Sequence, residues 1–361
     1  MMRIAFVVNS PRSQRSTYTT AHLALSAYRR GHEVLWIGVD EFSCLDPRRV
    51  FAVGARLPLG HYPTTVELVS ALRNGGERAE VDLARFDAVF LRNNPAETAN
   101  SPVRGNPALD FAYQLRELGV LVINDPRGIA AAHSKLYLSR FPQEIRPRTL
   151  VTRSESKAKQ FLRELDGPAI IKPLEGFGGE SVFYVRRGQI ANVNQMLSAA
   201  RRDGYLIAQE FLPAVTKGDK RLLLWRGEPI PLGEGRVAMY RRMRPKDDIR
   251  NNIHVGGQRR RAEFTEVEKR LAEQLKPRLL ADGLLLVGVD IVGDKILEVN
   301  VLAPGGIHNI NELYQADVGG YIIDDLARWV EERREARQAA ESAPSSSSPS
   351  ASSPAPLPLL R

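Results

Sequence analysis

A chain of 361 residues, 43% hydrophobic and 26% charged, has the composition of a soluble globular protein with two or three domains' worth of core. No apolar run reaches membrane-crossing length, and Met1 to Val8 is too short for a secretory signal, so it reads as a buried first strand. The lone cysteine, Cys44, excludes an intrachain disulfide and suits a reducing cytoplasm, and the six His residues show no metal-ligand spacing. The net charge of +9 clusters in part at Arg241, Arg242, Arg244, Lys246 and Arg250, then at Arg259 to Arg261. Such a cluster suits nucleic acid, an active-site loop handling phosphates and carboxylates, or a solvated basic loop. No nucleic-acid motif accompanies it, so that reading ranks last.

In chain order, residues 3 to 8 form a strand, Thr19 to Arg30 a helix stopped by Gly31, and Glu33 to Val39 a second strand. Strand, helix, strand within 40 residues is a parallel α/β unit. Between Cys44 and Ala84 the pattern gives a hairpin near Ala55 to Leu59 and a helix near Thr64 to Arg73. Ala88 to Leu91 and Leu118 to Ile123 are strands around a helix at Ala108 to Leu118. This lobe ends near Asn124-Asp125-Pro126. Gly128 to Ser139 then reads as a helix carrying Lys135, and Ser154 N-caps a helix to Leu165. Ala169 to Lys172 and Ser181 to Val185 are strands joined by a glycine-rich turn. Leu206 to Glu210 begins a third lobe, with a helix at Glu266 to Ala281 and a last helix at Tyr321 to Arg334. From Ser342 the chain is Ser, Pro and Ala and reads as a disordered tail. The expected division is 1–125, 126–205 and 206–335, with the tail at 342–361.

Val287 to Asn300 is the most informative stretch. It reads as two apolar strands around a tight turn at Gly293-Asp294. Asp290, Glu298 and Asn300 interrupt those strands, and buried carboxylates require cations. Oxygen ligands without His or Cys suit Mg²⁺, with Mn²⁺ as an alternative. A two-residue turn would pair Val289 with Glu298 and put Asp290 on the opposite face. A three-residue loop, Gly293-Asp294-Lys295, pairs Asp290 with Glu298 and keeps Asn300 on the same face. The longer loop is expected; the competing reading is a solvated polar face.

Ile171 to Ser181 places Lys172 at a strand end before Gly176, Gly178 and Gly179, whose backbone can approach phosphate oxygens. The spacing is neither Walker A nor Rossmann, and a structural glycine turn remains an equal reading. Ala208-Gln-Glu-Phe-Leu-Pro213 ends a strand whose backbone edge can bond an adenine, with Glu210 nearby. Asp219-Lys-Arg221 then enters an apolar strand, where Arg221 needs a carboxylate or phosphate partner.

Taken together, the Lys135 segment, Lys172-Pro with its glycine loop, Ala-Gln-Glu, Asp-Lys-Arg and Asp290…Glu298-x-Asn300 resemble the ATP-grasp superfamily, and within it bacterial glutathione synthetase. The resemblance spans residues 1 to 333. It implies an α/β protein with an ATP-grasp fold preceded by a Rossmann-like N-terminal domain, acting as an ATP-dependent carboxylate–amine ligase. It further implies Lys135 and Lys172 at the ATP phosphates, Glu210 and the Phe211-Leu212 backbone at adenine, and Asp219 at ribose. Asp290, Glu298 and Asn300 match magnesium ligands, and Arg221 an arginine at the transferring phosphate. Residues 240 to 257 match a mobile lid with Arg250 and Asn252 in its Arg-x-Asn element and Gly256-Gly257 as hinge.

The implied chemistry is acyl-phosphate formation on γ-glutamylcysteine, then attack by glycine. The implied partners are small molecules, with neither nucleic acid nor membrane, and the family commonly forms dimers or tetramers. Two departures bear on substrate. Asn300-Val-Leu-Ala-Pro-Gly-Gly306 stands where the family has Asn-Val-Thr-Ser-Pro-Thr, and Arg92-Asn-Asn-Pro95 only loosely matches the family's arginine-led donor-binding turn. A related ligase with another substrate pair is therefore the alternative, ahead of a binder that has lost catalysis.

Overall fold

The structure, a computed structural model, describes residues 1–46, 49–60, 62–95, 106–174, 181–188, 192–202, 204–243 and 258–342. These fall into two compact units. The first takes in residues up to 95, the stretch to Pro126 and everything from Asp317; the second is Arg127–Ala316.

The first unit is built on a seven-stranded sheet. Its strands are β1 (Arg3–Val8), β2 (Glu33–Gly38), β3 (Phe42–Asp46), β4 (Arg49–Arg56), β5 (Glu77–Asp82), β6 (Ala88–Leu91) and β7 (Leu121–Ile123). The order is β3-β4-β2-β1-β6-β7, with β5 paired to β4. The pairs β2-β1, β1-β6 and β6-β7 are parallel. Parallel strands covered on both faces are apolar throughout, which is why β1 and β6 show no alternation. Phe6 lies between Trp36 and Phe90, with ring centroids 5.6 and 5.1 Å away. The helices are α1 (Thr19–Arg29), α2 (Thr65–Gly75) and α3 (Pro107–Glu117). No hairpin turns at Ala55, which lies within β4 and pairs with Trp36 of β2 and Arg78 of β5.

The C-terminal helix, Val318–Ser342, is longer than expected and packs against α1 in this unit, not in the last lobe. The packing is close at Gly319, where a Cβ would lie 2.7 Å from Ser26 Oγ and 2.9 Å from the His22 carbonyl. Arg30 Nη2 binds Asp324 at 2.8 Å across the same contact.

The second unit opens with α4 (Pro126–Ala132). The expected helix through Ser139 breaks there. Ser134 Oγ accepts the Leu136 N–H at 3.2 Å and starts a separate 3₁₀ segment, Lys135–Arg140. A four-stranded antiparallel sheet follows: β8 (Thr149–Thr152), β9 (Ala169–Pro173), β10 (Phe183–Val185) and β11 (Leu206–Glu210), in the order β10-β9-β11-β8. β11 therefore lies in the middle of this sheet and not at the start of a third lobe. Helices α5 (Glu155–Glu164) and α6 (Val193–Arg201) cover one face, burying Ala169, Ile171, Leu206 and Ala208. Alternation along the strands puts Lys172, Gln209 and Thr149 on the other face.

The remaining strands are β12 (Asp219–Trp225), β13 (Glu228–Pro229), β14 (Pro231–Gly233), β15 (Arg236–Val237), β16 (Met239–Met243), β17 (Gln258–Arg261), β18 (Leu286–Val292) and β19 (Lys295–Asn300). Six of them form a sheet in the order β17-β16-β12-β18-β19, with β13 paired to β12. Between β17 and β18 runs α7 (Glu266–Ala281), held at its start by a Thr265/Glu268 capping box. Helix α8 (Ile307–Tyr314) closes the unit.

The expected three-residue loop between β18 and β19 is not formed. Val292 pairs with Lys295, leaving a two-residue turn, Gly293-Asp294, with Gly293 at φ +60°. Yet Asp290 still faces Glu298, because Leu297 is an extra residue in β19 and shifts the register by one. A β-bulge does what the longer loop was expected to do.

Among the described residues no helix is long and apolar enough to cross a membrane.

Candidate active site

The site is assembled from neighbouring strands of the second unit. On β12, Arg221 stands opposite Asp290 of β18 and Tyr240 of β16, while Asp219 stands opposite Arg242. On β19, Glu298 stands opposite Asp290 and Asn300 opposite Gly288. Facing residues share a side, so the two aspartates, two arginines, Glu298 and Asn300 converge.

Arg221 grips Asp290 with two parallel hydrogen bonds, Nε to Oδ1 and Nη2 to Oδ2, the latter at 2.8 Å. Its Nη1 donates to the Gly305 carbonyl at 3.2 Å. Arg242 spans two carboxylates: Nη2 lies 2.9 Å from Asp290 Oδ2, and Nε donates to Asp219 Oδ1 at 3.0 Å. Burial works to raise the Asp290 pKa, but the Arg221 and Arg242 charges outweigh it and hold it at about 2. For Asp219 burial prevails over the pull of Arg242 and the pKa is raised. Asp219 was expected at a ribose; here its carboxylate is engaged by Arg242. Arg242 belonged to the basic cluster but had no assigned role. Its alternation with Tyr240 opposite Asp219 and Arg221 was the missed signal.

Asn300 Nδ2 donates to the Gly288 carbonyl at 3.3 Å and to Asp290 Oδ2 at 3.4 Å. Asp290 Oδ2 is thus heavily used, whereas Oδ1 meets Arg221 Nε among the described residues. No hydrogen bond or ion pair engages the Glu298 carboxylate among them. A carboxylate offers about four lone-pair positions, so Glu298 and one oxygen of Asp290 retain capacity for a hard cation. No group of three or more His, Cys, Asp or Glu residues among the described ones could hold a metal. The donors fit an ion such as Mg²⁺ that completes its shell with water and substrate oxygens, not one caged by protein.

The phosphate candidates lie beside this group. Lys172 is held by Gln209 Oε1 at 3.1 Å, and Lys135 Nζ donates to the Leu174 carbonyl at 3.2 Å. Burial lowers the Lys172 pKa to about 8; the Glu298 charge opposes that shift and Lys135 adds to it. Two lysines and Glu298, from separate segments, thus lie within electrostatic reach of one another. Gly176, Gly178, Gly179, Arg250, Asn252 and the Gly256-Gly257 hinge lie outside the described residues, as does the tail from residue 343.

At the end of β11 the Glu210 N–H bonds the Arg148 carbonyl at 2.9 Å and the Phe211 N–H bonds the Pro168 carbonyl at 3.0 Å. The Phe211 N–H is therefore spent within the fold. No partner engages the Leu212 N–H among the described residues. Phe211 and Tyr184 meet edge to face at 4.9 Å.

Elsewhere in the basic cluster, Arg259 pairs with Glu312 at 2.8 Å, and Arg261 donates to the Leu313 carbonyl at 2.6 Å. In the first unit Arg92 follows β6. Its Nε bonds Thr20 Oγ1 at 3.2 Å, and burial lowers its pKa to about 10.

Known proteins share this architecture. The chain aligns over 90% of its length with the ATP-grasp ligase PsnB complexed with a minimal precursor (TM-score 0.58, 20% identity, 97% of that chain). It aligns equally far with the D-cycloserine synthetase DcsG (TM-score 0.57, 14% identity, 99% of that chain). Residues 134–315 match the family model for the ATP-grasp domain of prokaryotic glutathione synthetase, and residues 2–130 that for its N-terminal domain. The fold and site define an ATP-grasp ligase, an enzyme that forms a carbon–nitrogen bond at the expense of ATP.

Among curated relatives, the glutathione synthetase of Vibrio cholerae is 34% identical over 308 residues, covering 85% of this chain and 91% of that protein. That of Synechococcus elongatus is 32% identical over 337 residues, covering 90% and 98%. The chain belongs to the prokaryotic glutathione synthetase family.

Proposed function

We propose that this protein is a glutathione synthetase, joining γ-glutamylcysteine to glycine with release of ADP and phosphate. The observation that carries the reading is the placement of Asp290, Glu298 and Asn300 beside Lys172 and Lys135 in one unit. This puts oxygen donors for a divalent cation next to cations suited to a polyphosphate.

In this reading a donor carboxylate oxygen attacks the γ-phosphorus of ATP, ADP departs, and an acyl phosphate results. The acceptor amine adds to the acyl carbon, phosphate leaves with the C–O electron pair, and the nitrogen loses a proton. Lys135 and Lys172 bind phosphate oxygens, Arg221 meets the transferring phosphoryl group, and Arg250 is a further candidate contact for it. Glu298, Asp290 and Asn300 would hold Mg²⁺, or Mn²⁺ in its place, which would offset the phosphate charge. Leu212 N–H and the Glu210 segment bind adenine, and Gly176, Gly178 and Gly179 are further candidate phosphate contacts. Asp219 reaches a ribose only through a change in its pairing with Arg242. Arg92 is the candidate contact for a donor carboxylate. No nucleophilic side chain is required, so Cys44 has no part in it.

A second reading, a different acceptor amine, is favoured by Leu302 and Ala303, which bring no hydroxyl after β19. The test is ADP release from Mg·ATP with and without γ-glutamylcysteine and glycine, the product identified by mass. Glutathione formation is expected. Release that needs γ-glutamylcysteine but incorporates no glycine would establish the second reading, and no release with any amino acid or peptide would defeat both.

A further inference from the structure

A buried amide sits behind the phosphate lysine. Gln209 is 3% exposed and lies one residue before the end of β11. It faces Thr149 directly on β8, and it lies diagonal to Lys172 on β9, whose facing residue is Ile207. Three adjacent strands therefore present Lys172, Gln209 and Thr149 on one face, opposite the face that the helices cover. Diagonal neighbours in an antiparallel sheet are within reach when a side chain is long.

The hydrogen bonds form a chain with one allowed direction. Lys172 Nζ has donors only, so its 3.1 Å partner on Gln209 must be the amide oxygen. Thr149 Oγ1 donates its proton to the Pro147 carbonyl at 2.8 Å. Its lone pairs then accept from Gln209 Nε2, also at 2.8 Å. Flipping the amide would set Nε2 against an ammonium and Oε1 against a hydroxyl whose proton is committed. Both ends thus select the same orientation, and the lysine is steered by a network rooted in the backbone of residue 147.

The chemistry of the group matters as much as its place. An amide oxygen accepts a hydrogen bond from an ammonium without cancelling its charge. A carboxylate there would form an ion pair and compete with a phosphate for the same proton donors. A neutral acceptor fixes the lysine and leaves its charge for an anion.

We infer that Gln209, oriented by Thr149, is a positioning residue that aims Lys172 at a phosphate of bound ATP while leaving its charge unneutralised. The inference rests on the proposed phosphate role of Lys172.

The test measures ATP affinity by calorimetry, with and without Mg²⁺, alongside KM for ATP and kcat, on the full chain. Lys172→Met is expected to weaken ATP binding about tenfold or more, the loss of a charge-assisted contact. Gln209→Leu should weaken it by up to about tenfold and raise KM for ATP with little change in kcat. Gln209→Glu should weaken it at least as much, by neutralising the lysine. Thr149→Val should have a smaller effect of the same kind, and Thr149→Ser, which keeps the hydroxyl, should restore wild-type affinity. In the Lys172→Met background, Gln209→Leu should add nothing.

Unchanged ATP affinity in folded Gln209→Leu, with Lys172→Met impaired, overturns the inference and leaves the role of Lys172 standing. So does a Gln209→Leu penalty of equal size in both backgrounds, which marks a purely structural effect. Unchanged affinity in Lys172→Met removes the phosphate role itself. Should Gln209→Leu fail to fold, the Thr149→Val and Thr149→Ser pair decides: equal affinities overturn the inference, and a loss confined to valine upholds it.

Discussion

Asp290 and Glu298 stand directly opposite each other across β18 and β19, although only Gly293 and Asp294 separate the strands. The single extra residue, Leu297, makes this pairing compatible with the tight turn. Asp290 is already claimed by two guanidinium groups, whereas Glu298 is not. Asp290 anchors the arginines, which makes Glu298 the principal donor for a cation in the proposed function.

Replacing Glu298 with Gln keeps the shape and removes the charge. Outer-shell partners of metal sites are worth roughly 10–100-fold, so loss of a direct donor should cost at least about 100-fold in turnover. The melting temperature should stay near wild type, because no hydrogen bond is lost among the described residues. The check is a Mg²⁺ titration of activity beside a thermal melt, and near-normal turnover would remove Glu298 from the metal site.

Arg242 bridges Asp219 and Asp290, the second of which it shares with Arg221. Arg242→Leu leaves the buried Asp219 without its guanidinium partner while Asp290 keeps Arg221, and breaking a buried pair in this way costs about 3–5 kcal/mol. Arg242→Lys keeps the charge but has no planar fork to span both partners, so an intermediate loss is expected. Urea denaturation at pH 7 measures both. A leucine variant as stable as wild type would show that this network does not bear on the fold.

Gly218 brings β12 against β16. It sits at φ +83°, and a Cβ there would lie 2.2 Å from the Arg242 carbonyl oxygen. Gly218→Ala should therefore cost more than the roughly 1–3 kcal/mol of a non-glycine residue held in a backbone region that only glycine favours, and it should displace Asp219 from Arg242. Equilibrium unfolding gives the first effect and KM for ATP the second. A change within about 0.5 kcal/mol, the range of a neutral surface substitution, would mean the strands separate without penalty.

Lys172 carries a pKa lowered to about 8 from an ordinary 10.5. It is mostly charged at pH 7 and mostly neutral by pH 9, so ATP affinity should fall as pH rises through about 8. Above that value, binding should take up a proton. The sign for stability is opposite: the charged form is disfavoured in the fold, so Lys172 detracts from stability below about 8, and this penalty fades toward 10.5. The groups facing it are Glu298, Lys135 and Gln209. Calorimetry from pH 7 to 9.5 should show the decline in wild type and its loss in Lys172→Met; a flat wild-type profile would contradict the shift.

Much of the site was legible because buried charge is conspicuous in an apolar strand. Asp290, Glu298, Arg221 and Lys172 each interrupt a Val/Ile/Leu-rich run, and period-two alternation says which of them share a face. The bulge at Leu297 left no such mark, since an extra leucine in β19 looks like any other strand residue. The break before Lys135 did have a signal, Ser134, which competes for the backbone N–H of the following turn. The place of β11 in the four-stranded sheet had none, because strand order depends on pairings with residues far away in sequence.

The sequence by itself determined the candidate chemistry: oxygen donors without His or Cys, a lysine at a strand end before a glycine run, and the ordered motifs of an ATP-grasp ligase. These are properties of residue type and local spacing, which burial costs and strand periodicity constrain directly. Only the tertiary structure decided which partner each group takes. Arg242 bridges Asp219 and Asp290, and Thr149 turns Gln209 toward Lys172, because cross-strand register sets those distances. Register is a long-range property, the summed outcome of turns, bulges and packing that no single segment encodes.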